Sequence, residues 1–383
     1  MMRRLAALLL LLVLTACGVQ AAGNDPPAPP PAQPAAEVAA APSMAPAQIA
    51  TVPGATPSLA TATATVEPAP VLTRLTEPGC CVQPMWSPDG RMVLFIDRPD
   101  ATAPTGIYGV SVEGGPVQLI TERVAKTSPD GRYIVYLNES AQVVVEDLQT
   151  GEVWLIPSDR REPHFSPNSQ RLVWTAETGS GAFSQRPSIV SVSEVNGQNA
   201  REVITVYGGG FVGWLDDDRM LVQGRIEESN GVLAEEALYA IDLLSGDMDQ
   251  LAVSDRLRSV QPAPGGEWVF YAIAFDTDDP TRNGMWVVRA DGSERHKLDV
   301  VGAAQWQDGS RLLIIPMEPG APSHRVLRFD AETGEMEAIT DPAQTPFRIL
   351  SGDWQVSPTG EHIVFVSAED LSLWVMTLPG ADR

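Results

Sequence analysis

One ten-residue pattern governs what this chain can become. Trp86-Ser87-Pro88-Asp89-Gly90-Arg91-Met92-Val93-Leu94-Phe95 recurs as Thr127-Ser128-Pro129-Asp130-Gly131-Arg132-Tyr133-Ile134-Val135-Tyr136. Looser copies read FSPNSQRLVW (165–174), GWLDDDRMLVQ (213–223), APGGEWVFYA (263–272), QWQDGSRLLII (305–315) and VSPTGEHIVFV (356–366). Each copy is a short run, a tight turn and an alternating apolar strand. Proline presets φ at the first corner of such a turn, and glycine or asparagine tolerates positive φ at the second. The mean period is about 45 residues, the range of propeller repeats.

Two further strand-like runs follow each copy. The third runs are Ile107–Val112, Gln142–Asp147, Ser188–Val192, Ala237–Leu243, Gly284–Arg289, His324–Phe329 and Ser372–Thr377. The fourth are VQLIT, VWLIP, REVIT, DQLAV, HKLDV and MEAIT, and the seventh copy lacks one. The spare run Val71-Leu72-Thr73-Arg74-Leu75-Thr76 precedes the first repeat and reads like a fourth strand. The pattern predicts an all-β fold: a seven-bladed β-propeller of four-stranded antiparallel blades over 70–383, its ring closed by that N-terminal strand. Closure would leave no open edge between the first and last blades.

Residues 1–69 have a different character. Arg3 and Arg4 precede an apolar run from Leu5 to Val13. That run is too short to span a bilayer, which takes about 20 residues, and suits a cleaved signal. Leu14-Thr15-Ala16-Cys17 resembles the bacterial lipobox. The resemblance implies a signal peptide over 1–16, lipidation of Cys17 and membrane attachment through that lipid. Gly18 after the cysteine implies sorting to the outer membrane if the host has one. Residues 17–69 are rich in Ala, Pro and Thr, with Asp25, Glu37 and Glu67 the only charges. Such a composition predicts a disordered tether. The expected setting is the cell envelope, on the extracytoplasmic side.

The Ser-Pro-Asp-Gly-Arg turns followed by VLFI or IVYL resemble the TolB-like, WD-repeat-like propellers of bacterial periplasmic and secreted proteins. Repeats at 86–95 and 127–136 carry the motif intact; the fourth and sixth lack its proline, and the fifth reads Pro-Gly-Gly. The same motif occurs in propellers of prolyl-oligopeptidase-like enzymes, which continue into a hydrolase domain. The resemblance implies fold and setting but no ligand.

The chain has 26 Lys+Arg against 49 Asp+Glu, a formal charge of −23. That balance excludes nucleic acid as an expected partner, since phosphate backbones call for a basic face. No G-x-S-x-G elbow, H-E-x-x-H helix, Walker loop or dinucleotide fingerprint is present. His164, His296, His324 and His362 fall in different repeats, and no cofactor is expected. Asp276, Asp278 and Asp279 form the one weak metal candidate, read more simply as a solvated hairpin loop. Cys80 and Cys81 could close a vicinal disulfide in an oxidising compartment. Two reduced thiols or an intermolecular pairing is the plainer alternative.

In a propeller the residues leading into each first strand form one mouth of the channel. Here these are Gln83, Met85, Lys126, Arg161, His164, Phe211, Arg258, Gln305 and Asp353. Cations at 126, 161 and 258 in an acidic protein would attract anions unless each is paired with a neighbouring carboxylate. Trp86, Trp306 and Trp354 are read as occupying equivalent positions between blades. The expected function is a surface-tethered, monomeric, noncatalytic propeller that binds a protein or cell-envelope component. Its alternatives are a hydrolase or lyase acting on peptide or glycan at the mouth, and a small-ligand or metal sensor.

Overall fold

The computed structural model describes residues 70–79, 83–98 and 102–379. The signal and tether, Cys17, Cys80 and Cys81 lie outside the described residues. The strands run in chain order. β1 (Val71–Arg74) precedes a sheet of β2 (Met85–Trp86), β3 (Met92–Asp97), β4 (Gly106–Ser111) and β5 (Gln118–Thr121). β6 (Lys126–Thr127), β7 (Tyr133–Leu137), β8 (Val143–Asp147) and β9 (Val153–Leu155) form the next. Then come β10 (His164–Phe165), β11 (Arg171–Glu177), β12 (Pro187–Glu194), β13 (Arg201–Trp214), β14 (Arg219–Arg225), β15 (Ala237–Asp242) and β16 (Met248–Val253). β17 (Leu257–Pro262), β18 (Trp268–Ile273), β19 (Gly284–Arg289) and β20 (Arg295–Leu298) make a further sheet. So do β21 (Gly302–Trp306), β22 (Arg311–Pro316), β23 (Leu327–Asp330) and β24 (Met336–Ala338). The last sheet contains β25 (Ile349–Val356), β26 (His362–Ser367), β27 (Leu373–Thr377) and, at its outer edge, β1.

The fold is an all-β propeller of antiparallel blades, but the expected count of seven is corrected. Five four-stranded blades are present, and β10 to β16 form one seven-stranded sheet. The cause is β13, a 14-residue strand that pairs with β12 along its first half and β14 along its second. Gly208-Gly209-Gly210 lets it run on from the third repeat into the fourth. A Cβ on Gly209 would lie 1.9 Å from the Gln223 carbonyl oxygen, and one on Gly210 2.6 Å from Thr175. Only glycine allows that approach.

The turns behave as their residues dictate. Gly90 and Gly131 have φ of 68° and 73°. The Ser87 and Ser128 hydroxyls donate to Asp89 and Asp130 and accept from the amides of Met92 and Tyr133. Turns also reach between repeats: the Asp130 amide donates to Ser169 Oγ and the Asn168 amide to Asp217. Opposite faces of each sheet bury against neighbours. Val93, Phe95, Tyr108 and Val110 pack on Val364, Val366 and Val375, while Tyr133, Val135 and Val145 pack on Leu172 and Trp174.

The expected pairing of the N-terminal run with the last repeat is present. Val71 to Arg74 pair antiparallel with Thr377 to Trp374. Thr76 Oγ1 accepts from the Leu373 amide, Arg74 meets Asp370 at 3.2 Å, and Leu75 is buried. Removing residues 70–77 should therefore strip a strand from the β25–β27 sheet and sharply lower the thermal midpoint. Leu75→Ala alone should cost about 2–4 kcal/mol in urea unfolding; an unchanged midpoint in both variants would refute this account of the edge.

Asp147 is a second tie. Its carboxylate, 1% exposed, receives two guanidinium N–H bonds from Arg132 and the amides of Gln149 and Thr150. The Arg132 hydrogen bonds lead the causes that lower its pKa from 3.8 to about 2. A carboxylate with a depressed folded pKa stabilises the fold above its unfolded value. Its contribution is thus complete above about pH 4 and lost as pH falls through about 2. Asp147→Asn should be less stable at neutral pH and show a shallower loss over this acid range, measured by urea unfolding at stepped pH.

Candidate functional site

Inner strands differ in length around the fold, and that difference shapes the site. β2, β6 and β10 have two residues each, whereas β17, β21 and β25 have six, five and eight. Pro84 and Pro163 precede β2 and β10, and proline has no N–H to give a ladder. The chain therefore leaves its sheet early in the first and third repeats, β6 is equally short, and two cavities open there.

The first, about 600 Å³, includes Met85, Trp86, Lys126, Thr127, His164, Phe165 and Phe211 to Trp214. It brings together four of the nine expected mouth residues: Met85, Lys126, His164 and Phe211. The His164 and Phe211 rings lie 5.3 Å apart, and Trp214 stands edge-on to Phe211 at 5.9 Å. Burial and the Lys126 ammonium hold the His164 imidazole below the usual histidine range, opposed by Glu162. Lys126 itself pairs with Glu162 at 2.6 Å, both side chains exposed. The second cavity, about 740 Å³, shares Met85, Ile107, Ala125, Lys126 and Pro163 with the first. It extends outward past Ile96, Val124, Tyr136, Leu137 and Arg160.

The other expected mouth residues do not line these cavities. Gln83 is exposed with φ of 54°, and Arg161 is exposed without an ion pair among the described residues. Arg258 donates to the Leu257 carbonyl. Asp353 lies within β25. Gln305 spans two inner strands, donating to the Trp354 carbonyl at 2.6 Å and accepting from the Val356 amide at 3.1 Å.

Gln261, absent from the expected set, makes the corresponding bond to the Ala304 carbonyl at 3.1 Å. Both glutamines stand one residue before the last residue of the inner strand, a position the repeat alignment could have revealed. The tryptophan reading needs a related correction. Trp86, Trp214 and Trp306 pair with Val93, Met220 and Leu312 in one register. In the last repeat Val356 takes that place, opposite Ile363, and Trp354 lies two residues earlier. The three aligned indoles each donate to a neighbouring inner strand, at Gln355, His164 and Gln261.

The acidic loop is occupied by its own backbone. Asp276 accepts from the amides of Asp278 and Asp279 and lies 3.6 Å from Arg282, while Asp279 caps the short helix Pro280–Arg282 through Thr281. Among the described residues no group of three or more His, Cys, Asp or Glu is placed to hold a metal ion. His296 packs between Trp268 and Phe329, and His362 stacks on Trp86.

No family model matches the chain, and no curated protein matches it. Among solved structures, an oligogalacturonate lyase in complex with manganese is 16% identical, with a TM-score of 0.55 over 82% of this chain and 94% of that one. An acylaminoacyl peptidase from Pyrococcus horikoshii is 13% identical, TM-score 0.51, over 78% of this chain and 52% of that one. A TolB from Agrobacterium tumefaciens, described as putative, is 16% identical, TM-score 0.39, over 69% and 94%. At such identities the likeness is one of fold. What the structure establishes is the fold, an all-β propeller of antiparallel blades.

Lys126→Met removes a repelling cation and frees Glu162, so the His164 titration should move to higher pH. NMR of the imidazole Cε1–H would read the change, and an unmoved midpoint would contradict the proximity argument.

Proposed function

We propose that this chain is a lipid-anchored, extracytoplasmic, noncatalytic binding propeller that holds a protein or cell-envelope component at the face where its inner strands begin. The anchor is Cys17, and residues 17–69 act as the tether.

One observation carries the reading: the shortened inner strands of the first three repeats open that face into two adjoining, mainly apolar cavities. Volumes of about 600 and 740 Å³ fall in the range of binding pockets. Phe211, Trp214 and Met85 offer rigid and adaptable apolar contacts, and Lys126, Glu162 and His164 offer polar ones. Trp86 and Trp214, which line the first cavity, donate to the Gln355 and His164 carbonyls and hold part of its wall in place, so less ordering entropy is spent on binding.

The test is photo-crosslinking in intact envelopes. A photoreactive phenylalanine analogue at position 211 should give discrete adducts, and the same group at Thr359, on the turn face, should give none. Equal adduct patterns from both positions, or none from position 211, would overturn the proposal.

A further inference from the structure

Neighbouring sheets of this fold are joined by shared apolar clusters, with one exception among the described residues. The β1/β25–β27 sheet joins β2–β5, β6–β9 joins β10–β12, and the clusters continue through β14–β24. No such cluster joins β2–β5 to β6–β9. The register shows why. Along β3, Val93 and Phe95 face the last sheet and are fully buried, while Met92 and Leu94 on the other face are half-buried and Ile96 is 43% exposed. Gly109 contributes no side chain to that face. Across the gap, β7 and β8 present the buried Ile134 and Val144 with Tyr136 and Glu146, and Arg123 enters to pair with Glu146 at 2.6 Å. Where the polar pair stands, the seam does not close as a dry core.

The 740 Å³ cavity lies at the mouth end of this seam. Nine of the 19 exposed large apolar residues fall between 96 and 155. Ile96, Val124 and Leu137 are the three that line the cavity. Isolated exposed apolar side chains mean little, but a patch around a concavity marks a binding surface. β6 pairs with β7 only at Lys126–Val135 and Thr127–Ile134, so the edge of β7 beyond Val135 has no ladder partner on the β6 side. An unpaired edge beside an apolar trough suits an added extended strand.

The rim has a defined charge. Asp159 and Arg160 are consecutive non-glycine residues with φ of 48° and 63°. Such backbone is sparsely populated and strained, and a strained loop often marks a functional site. This loop sets Arg160 on the cavity wall, without an ion pair among the described residues, while Lys126 is held by Glu162. The uncompensated charge at the rim is therefore positive, in a protein of net −23.

We infer that the seam between β2–β5 and β6–β9 is a docking groove for an extended partner peptide with alternating apolar side chains and an acidic residue that meets Arg160. The peptide adds to the free edge of β7, its apolar residues cover Ile96, Val124 and Leu137, and its carboxylate supplies the partner Arg160 lacks. This rests on the binding-propeller reading and assigns its subsite.

The test uses the full chain and two labelled hexapeptides, valine alternating with glutamate or with lysine, followed by fluorescence anisotropy. The glutamate peptide should bind in preference. Leu137→Asp, at an exposed position that leaves the buried clusters intact, should weaken it tenfold or more. Arg160→Glu should reverse the preference toward the lysine peptide. Failure of both peptides to bind, or equal affinity for the Leu137→Asp variant, would overturn the assignment. Seam-dependent binding of a fluorescent fatty acid in place of the peptides would overturn it in favour of a lipid. Adducts from position 211 separate the two claims. If they persist while the peptides fail, the seam alone is wrong; if they vanish too, the binding-propeller reading falls with it.

Discussion

A small sheet with apolar side chains on both faces is stable only when each face is covered by another. That requirement organises this protein. Phe95 is buried because Val364 and Val375 stand opposite it, and Trp268 because Trp306 and Phe329 do. The same demand explains why β1 crosses from the start of the chain to the last sheet, since the outer edge of β27 would otherwise be open. Coverage is a condition on neighbours, so a defect in one sheet is felt at the interface rather than within the sheet. The seam between β2–β5 and β6–β9, which no shared cluster joins, is such a place, and the exposed Ile96, Val124 and Leu137 line the cavity beside it.

The inner strands carry a second layer of organisation. Adjacent inner strands do not pair with one another, yet indoles and glutamines link them. Those bonds concentrate in the later repeats and at the junction with the first. Where Thr127 and Phe165 take the tryptophan position, no indole bridge is available. Rigidity on one side comes from these bridges, and openness on the other from the two-residue inner strands β2, β6 and β10. The proposed site lies on the open side.

Charge is distributed to the same effect. Most arginines are spoken for: Arg132 by Asp147, Arg219 by Asp216, Arg311 by Asp308, Arg328 by Glu337. Apart from the pair with buried Asp147, ion pairs this exposed contribute little stability singly. They matter here because they neutralise cations and leave Arg160 as the uncompensated one on the cavity wall. His164 is kept neutral by burial and by Lys126, so the channel presents an uncharged aromatic pair with Phe211 rather than a second cation.

The repeated Pro-Asp-Gly turns and alternating strands determined, from sequence alone, an all-β propeller and the pairing of its first strand with its last repeat. Turn geometry and strand alternation are local, each residue requiring only its neighbours along the chain. The blade count escaped the same reasoning, because whether Gly208-Gly209-Gly210 turns or runs straight depends on Gln223 and Thr175, which only the fold brings near. The nine mouth residues were chosen by distance from each turn, and four of them converge. The rest diverge because inner strands of unequal length move equivalent positions to different heights. The seam and Arg160 belong to the tertiary structure alone, for each is defined by what stands, or fails to stand, across a gap from another repeat.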